Sequence, residues 1–482
     1  MSNSFFWYDY ETFGVDPIRD RIAQFAGIRT DLQLNIIADP VVKYCKLSDD
    51  YLPHPGACAV HGIAPQVSNL RGICEAKFAK YVYKELTTPN TCITGYNVLD
   101  FDEEFTRNLF YRNLLEPYFH QSDKIGNSRW DLIDLVRLMW AIRPDVLTWP
   151  KTAEGVVTTK LELLTKANGI NHDAHDALAD VTATIQLAKL IKKFDEKIFN
   201  FVLENRTKDA VFKLMNVRGK NFQAARPLLH ISSTYSAKGN FASIVLPICP
   251  HPNKKNYIVV CNLVGDLQPL IELSSRQLHS KIFEREEGDE SKRPGLHTIN
   301  LTKCPVLLPL DLISQKTLAR LGIDKNLCLE NEKLLKNTQD MGYVASQTFK
   351  KVFEDPSDPD LLLYGGGFFS DNDRDKLEKL VTLPPSELVN WRFDDPRLPE
   401  MLFRYRARNY QKTLTTLELE KWTAFRQARL SGKDGTEHLT FAEFSQQMIE
   451  VNGRLSLELQ TAILTYRDEL QKMLPQPLAV TI

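Results

Sequence analysis

The stretch SFFWYDYET, residues 4–12, is aromatic or apolar at most positions yet carries two carboxylates, Asp9 and Glu11, two residues apart. A strand turns residues i and i+2 to one face, so Asp9 and Glu11 converge while Tyr8 and Tyr10 point the other way. Two adjacent buried carboxylates repel and take up a proton unless something positive stands between them. Whatever this segment folds into must therefore supply a cation, and a divalent ion is the natural candidate.

A chain of 482 residues is too long for one core and predicts about two to four domains. Its first 190 or so residues alternate strand-like and helix-like patterns. SFFWYDYETF, RIAQFAGIRT and NIIADPVVKYCK read as three successive strands, and EAKFAKYVYKEL as an amphipathic helix. TCITGY then reads as a strand and FDEEFTRNLFYRNLL as a second helix, with Phe101, Phe105 and Leu109 at i, i+4 spacing. DLIDLVRLMWAI, KLELLTKANGI and DALADVTATIQLAKLIKK add further helices. This order predicts a mixed α/β sheet. From about residue 200, RPLLHISSTY, FASIVLPICP, NYIVVCNLVG and LHTINLTKCPVLLP are β-rich and separated by polar turns, which predicts a small barrel or sandwich. After EDPSDPD the pattern is helical to the end.

Net charge, −1, neither supports nor excludes a nucleic-acid partner, because a local basic groove fits within a neutral total. The eight cysteines include no C-x-x-C pair, so they read as reduced core residues rather than a zinc or dithiol site. No basic-then-apolar leader opens the chain, and no apolar run approaches the roughly 18 to 20 residues of a membrane span. The expectation is a soluble, cytoplasmic protein.

With 61 acidic residues an Asp-x-Glu pair is common by chance, and its company gives it weight. GYNVLDFDEEF sets Asp102 at a helix start just after a strand, where it favours the helix dipole and can face a site at the end of the sheet. In HDAHDALADVTAT, Asp173 can cap a helix beginning near Asp176, leaving His175 at the loop-helix junction and Asp180 a turn further in. Oxygen-only ligands select Mg²⁺ or Mn²⁺ over zinc, two such ions about 4 Å apart clamp the oxygens of a phosphodiester, and His175 has the pKa range of a general base. The chemistry that Asp9, Glu11, Asp102, Asp180 and His175 imply together is phosphodiester hydrolysis.

In that order, the Asp-x-Glu strand, the segment Asn97, Phe101, Asp102 and the pair His175, Asp180 resemble the DEDDh 3′→5′ exonucleases, which have a ribonuclease H-like fold. The longer segments DYETFG, QFAGIRTD, TRNLFYRN, NSRWDLIDLVR, LTKANGI, HDALADV, GFFSDNDR and YRARN resemble the bacterial exodeoxyribonuclease I family from one end of the chain to the other. The resemblance implies an α/β ribonuclease H-like exonuclease domain (1–194), an SH3-like β-barrel domain (195–350) and an all-helical C-terminal domain (351–482). It implies a monomer that degrades single-stranded DNA processively, 3′→5′, to nucleoside 5′-monophosphates, in DNA repair and recombination.

Carried over residue by residue, Asp9, Glu11 and Asp180 hold one Mg²⁺, Asp9 with water-mediated help from Asp102 holds the second, His175 is the general base, and Glu11 lies near the terminal 3′-hydroxyl. Family contacts to DNA and substrate fall on Arg107, Tyr118, Arg137 and Arg143. Lys160 stands where the family pattern has an Arg, keeping the charge but losing the bidentate fork, and the loop FHQSDKIG after Tyr118 departs from an aromatic-rich version. The family also binds the acidic, Phe-ended tail of single-stranded DNA-binding protein, for which Arg143, Arg320, Lys325 and Lys333 are candidates. Two rival readings are a DEDDh nuclease acting on RNA 3′ ends and an inert single-strand-binding protein. The first leaves residues 195–482 unexplained in a single-domain RNA trimmer, and the second leaves the complete set of four carboxylates and a histidine unexplained.

Overall fold

The computed structural model describes residues 3–172, 176–217, 221–284, 295–351 and 356–474. The chain divides into two compact units, one made of 1–128, 173–182 and 354–482 and the other of 129–172 and 183–353.

The first unit is built on the strand that opens the sequence. β1 (Ser4–Thr12) pairs antiparallel with β2 (Ile22–Thr30), which pairs with β3 (Val41–Tyr44), and on its other edge β1 runs parallel to β4 (Thr91–Thr94). A short β5 (Ser128–Arg129) completes the order β3-β2-β1-β4-β5. Because β1 lies inside the sheet with both faces covered, Phe5 to Tyr8, Tyr10 and Phe13 are all buried, which explains the unbroken aromatic run. The register slips between Glu11 and Thr12, a bulge that bends β1 just beyond its second carboxylate. The third expected strand is shorter than NIIADPVVKYCK suggests. Asp39-Pro40 breaks it: Ile36 makes an isolated bridge to Thr30, and the continuous strand starts at Val41.

Four C-terminal helices, Leu398–Asn409, Thr416–Leu430, Phe441–Glu450 and Leu457–Lys472, belong to the same unit. They share a core with the N-terminal segment: Leu430, Phe444, Met448, Ile463 and Leu470 pack with Phe13, Ala23, Tyr51 and Leu52. Beside this core runs a buried ionic network. Arg429 pairs with Asp50 at 3.1 Å, Asp358 at 2.9 Å and Asp434 at 3.2 Å. Arg408 pairs with Asp50 and Asp360, and Arg404 with Asp358 and Asp360.

The second unit holds an antiparallel sheet in the order β10-β6-β7-β8-β9, with β6 Leu228–Ile231, β7 Ala242–Pro250, β8 Tyr257–Asn262, β9 Leu296–Asn300 and β10 Val306–Pro309. The expected single run LHTINLTKCPVLLP is two strands, because the chain turns through Cys304, whose φ is 49°. The sheet curls enough for Tyr235 to join His230 on β6 (3.0 Å) to His297 on β9 (3.3 Å). This region is less purely β than the sequence suggests, since helices Ser275–Phe283, Lys325–Asn337 and Met341–Thr348 accompany the sheet. No disulfide joins any of the eight cysteines, all of which are described. No described helix is long and apolar enough to cross a membrane.

Candidate active site

The site forms where β4 parts from β1. The two strands pair only as far as Trp7 and Thr94, after which Gly95 turns β4 away. A Cβ on Gly95 would stand 2.6 Å from Tyr8 O and 2.3 Å from Val98 Cγ1, so only glycine permits the approach. The amide of Tyr10, beyond the reach of β4, donates instead to Asp102 Oδ1 at 2.9 Å. Asp102 opens the helix Asp102–Arg112, so its buried carboxylate meets both the helix N-terminus and the free edge of β1.

Asp180 arrives from the helix Ala177–Phe194. The cap expected from Asp173 lies outside the described residues. Among those described, Asp176 accepts the Ala179 amide at 3.0 Å and its carbonyl accepts the Asp180 amide at 2.9 Å. Asp9, Glu11 and Asp180 each offer a ligand oxygen, and these atoms all lie within 4.8 Å of one another. Asp102 stands beside this trio without joining it, and His175 lies outside the described residues. The trio, Asp102 and Asp176 all belong to the first unit.

The electrostatics show how the carboxylates load one another. Burial, then the charges of Asp102, Asp180, Glu11 and Asp176, hold the Asp9 carboxyl well above the usual range. Burial, then Asp180 and Asp176, push Glu11 up to about 8. Folding has gathered three carboxylates whose like charges raise one another, and an oxygen-only donor set of this kind fits a hard divalent ion. Glu11→Gln removes one of the repelling charges. The metal-free variant is expected to melt several degrees above the metal-free parent, while a divalent ion raises the melting temperature of the parent only. A variant that melts lower, or that gains as much from the ion, contradicts the cation role.

The expected substrate residues sit in different settings. Arg107 is buried, with Nη2 on Glu103 (2.5 Å) and Nη1 on Glu104 (2.9 Å) and on the Tyr364 hydroxyl (3.2 Å), and its guanidinium lies 5.5 Å from the Tyr118 ring centroid. The structure thus brings Arg107 and Tyr118 together, and it adds two aromatics that the sequence reading missed. Tyr364 bonds Glu104, and Phe368, 84% exposed, meets Tyr118 edge-on. Their available signal was YGGGFF, three glycines between aromatics.

In the second unit Arg137 is buried and bonds Asp134 at 2.6 Å. Lys160 is exposed at the N-cap of the helix Leu161–Ala167. Arg143 follows the helix Leu132–Ile142 and reaches Asp195 at 3.2 Å. Arg320 donates to the carbonyls of Trp140 (2.9 Å) and Ala141, so it shares that helix end with Arg143. Lys325 and Lys333 lie on the helix Lys325–Asn337, with Lys333 exposed.

A mixed sheet whose central strand delivers two carboxylates to a third, beside a helix-borne Asp, defines a metal-dependent exonuclease. Residues 6–188 match the model of the family described as Exonuclease, residues 206–355 the Exonuclease I SH3-like domain and residues 357–469 the Exonuclease I C-terminal domain. The chain belongs to the exodeoxyribonuclease I family. It is 42% identical over 465 residues to exodeoxyribonuclease I of Haemophilus influenzae, covering 95% of this chain and 96% of that one. Among solved structures, exonuclease I from Methylocaldum szegediense is 41% identical with a TM-score of 0.91, covering 97% of this chain and 99% of that one. The zinc-bound complex of Escherichia coli ExoI with single-stranded DNA is 37% identical with a TM-score of 0.90, covering 98% and 100%.

Proposed function

We infer that this chain hydrolyses single-stranded DNA processively from the 3′ end, releasing nucleoside 5′-monophosphates, with Mg²⁺ at its carboxylates. The observation that carries the reading is the convergence of Asp9, Glu11 and Asp180 on one point at the open edge of β1. Asp9, Glu11 and Asp180 would hold one ion, and Asp9, with water-mediated help from Asp102, would hold a second. Two such ions, when bound, ease the ionisation of water and offset charge on the leaving oxygen.

The chain's own residues do the rest. His175 accepts the proton of the attacking water, whose oxygen joins phosphorus as the bond to the preceding 3′-oxygen breaks, and Glu11 holds the terminal 3′-hydroxyl. Lys160, Arg107, Arg137 and Arg143 bind phosphates, and the Tyr118 face takes a base without reading sequence. Domain bounds of 1–194, 195–350 and 351–482, a monomeric state and a cytoplasmic setting complete the proposal, and the order of the three family matches supports the division.

A solved structure of SSB/Exonuclease I with an inhibitor, 36% identical at a TM-score of 0.87, supports a partner site for the tail of single-stranded DNA-binding protein. Arg143 and Arg320, which share one helix end, and Lys325 and Lys333 are its candidates here.

The test is digestion of 5′-labelled and 3′-labelled DNA and RNA strands with Mg²⁺ or EDTA. Mg²⁺-dependent loss of mononucleotides from the 3′ end of single-stranded DNA, with little from RNA or duplex, is expected. Preferential trimming of RNA would overturn the substrate and leave the site intact, whereas binding without release would favour the inert reading.

A further inference from the structure

The carboxylates of β1 and of the helix Asp102–Arg112 come from segments far apart in sequence, and two linkages tie those segments at one point. The first is the Tyr10 amide on Asp102 Oδ1 at 2.9 Å. In the second, the Tyr10 hydroxyl lies 2.9 Å from Thr106 Oγ1, which in turn donates to the carbonyl of Asp102 at 3.0 Å. Since Thr106 spends its only proton on that carbonyl, the Tyr10 hydroxyl is the donor to Thr106. Tyr10 is buried and Thr106 has no exposed surface, so no water competes for these bonds.

The ring so closed runs from Tyr10 backbone to Asp102 carboxylate, through the first turn of the helix to Thr106, and back along the Tyr10 side chain. Tyr10 sits between Asp9 and Glu11, so a shift of its backbone moves both carboxylates relative to Asp102. Pairing with β2, through Tyr10 opposite Phe25, holds the strand in the sheet but does not set its distance from the helix, and on the helix side no strand intervenes, because β4 stops at the partner of Trp7. A single amide-carboxylate bond fixes a distance but leaves the start of the helix free to pivot about it. The Tyr10–Thr106 bond, on the opposite face of the strand from the carboxylates, removes that freedom.

We propose that Tyr10 and Thr106 are positioning residues for the divalent-ion site, setting the placement of Asp9 and Glu11 against Asp102 without touching an ion or substrate. The inference rests on the reading of Asp9, Glu11, Asp102 and Asp180 as ion ligands. It makes the hydroxyl pair, rather than aromatic packing in general, the determinant of metal affinity. Groups that orient metal ligands typically influence affinity about 10- to 100-fold.

The experiment is calorimetric titration of Mn²⁺ into the full chain without DNA, for the parent, Tyr10→Phe, Thr106→Val, Thr106→Ser and Asp180→Ala, alongside their melting temperatures. Tyr10→Phe and Thr106→Val should each bind Mn²⁺ about 10-fold more weakly. Thr106→Ser, which keeps the hydroxyl, should bind within a factor of about 2 to 3 of the parent, the ordinary scatter of single-interaction effects. Parent-like Mn²⁺ affinity in Tyr10→Phe and Thr106→Val, even with lowered melting temperatures, would reduce the pair to a packing role and overturn the proposal. Equal weakening in Thr106→Ser would overturn it too, by tying the effect to the methyl group. If Asp180→Ala binds Mn²⁺ as tightly as the parent, the ligand assignment itself fails, an outcome distinct from the other two.

Discussion

Asp180→Asn is expected to lower the rate of mononucleotide release from single-stranded DNA by more than about 100-fold, beyond what loss of a supporting group around a metal site costs. The side chain keeps its size and polarity, so the helix Ala177–Phe194 and its Asp176 cap should survive, and the variant should melt no lower than the parent. What it loses is the negative charge of one of three carboxylates whose oxygens meet within 4.8 Å, a charge that also raises the Asp9 and Glu11 carboxyls. Single-turnover digestion measures the effect. A rate within about 10-fold of the parent, where a peripheral contact would fall, would remove Asp180 from the ion's ligands.

Arg429→Met is expected to give the largest loss of stability, about 3–5 kcal/mol, because it strips a fully buried cation from three carboxylates and leaves Asp50 and Asp358 short of a partner. The network joins residues of the N-terminal segment, Asp50 among them, to the C-terminal helices, so the variant should lower the urea midpoint of the whole first unit. Glu437→Gln is the control. Its pair with Arg19 at 2.8 Å is 82% exposed on the Glu437 side, and its loss should cost no more than about 1 kcal/mol. Acid should act in the same direction as Arg429→Met. Burial opposes ionisation of Asp50, yet Arg408, Arg429 and Arg21 outweigh it and hold the carboxyl well below the usual range. A folded-state value below the unfolded one means that the stabilisation is present above about pH 4 and drains away as the pH falls. A parent protein whose first unit keeps the same urea midpoint from pH 7 to pH 3 would contradict this account.

The parts of the site that follow from local rules were legible in the sequence. Strand periodicity puts Asp9 and Glu11 on one face, and the helix start places Asp102; the structure gives both, and it brings Asp180 to the same trio. The buried arginines were not legible. Arg404, Arg406 and Arg408 in FRYRARN are each at least nine-tenths buried, because their partners, Asp358, Asp360, Glu418 and Asp50, come from elsewhere in the chain. Periodicity reports which face is apolar and says nothing of a distant carboxylate that makes burial of a charge tolerable. Tyr364 and Phe368 escaped for a related reason: they lie in a glycine-rich loop with no period, and their closeness to Arg107 and Tyr118 is a tertiary fact.

The central claim is that Asp9, Glu11 and Asp180 form a divalent-ion site, and anomalous diffraction from crystals soaked in Mn²⁺ tests it most directly. The account predicts a strong anomalous peak among the three carboxylates in the parent and its loss in Asp180→Asn. An empty site in the parent, with Mn²⁺ bound elsewhere or not at all, would contradict it.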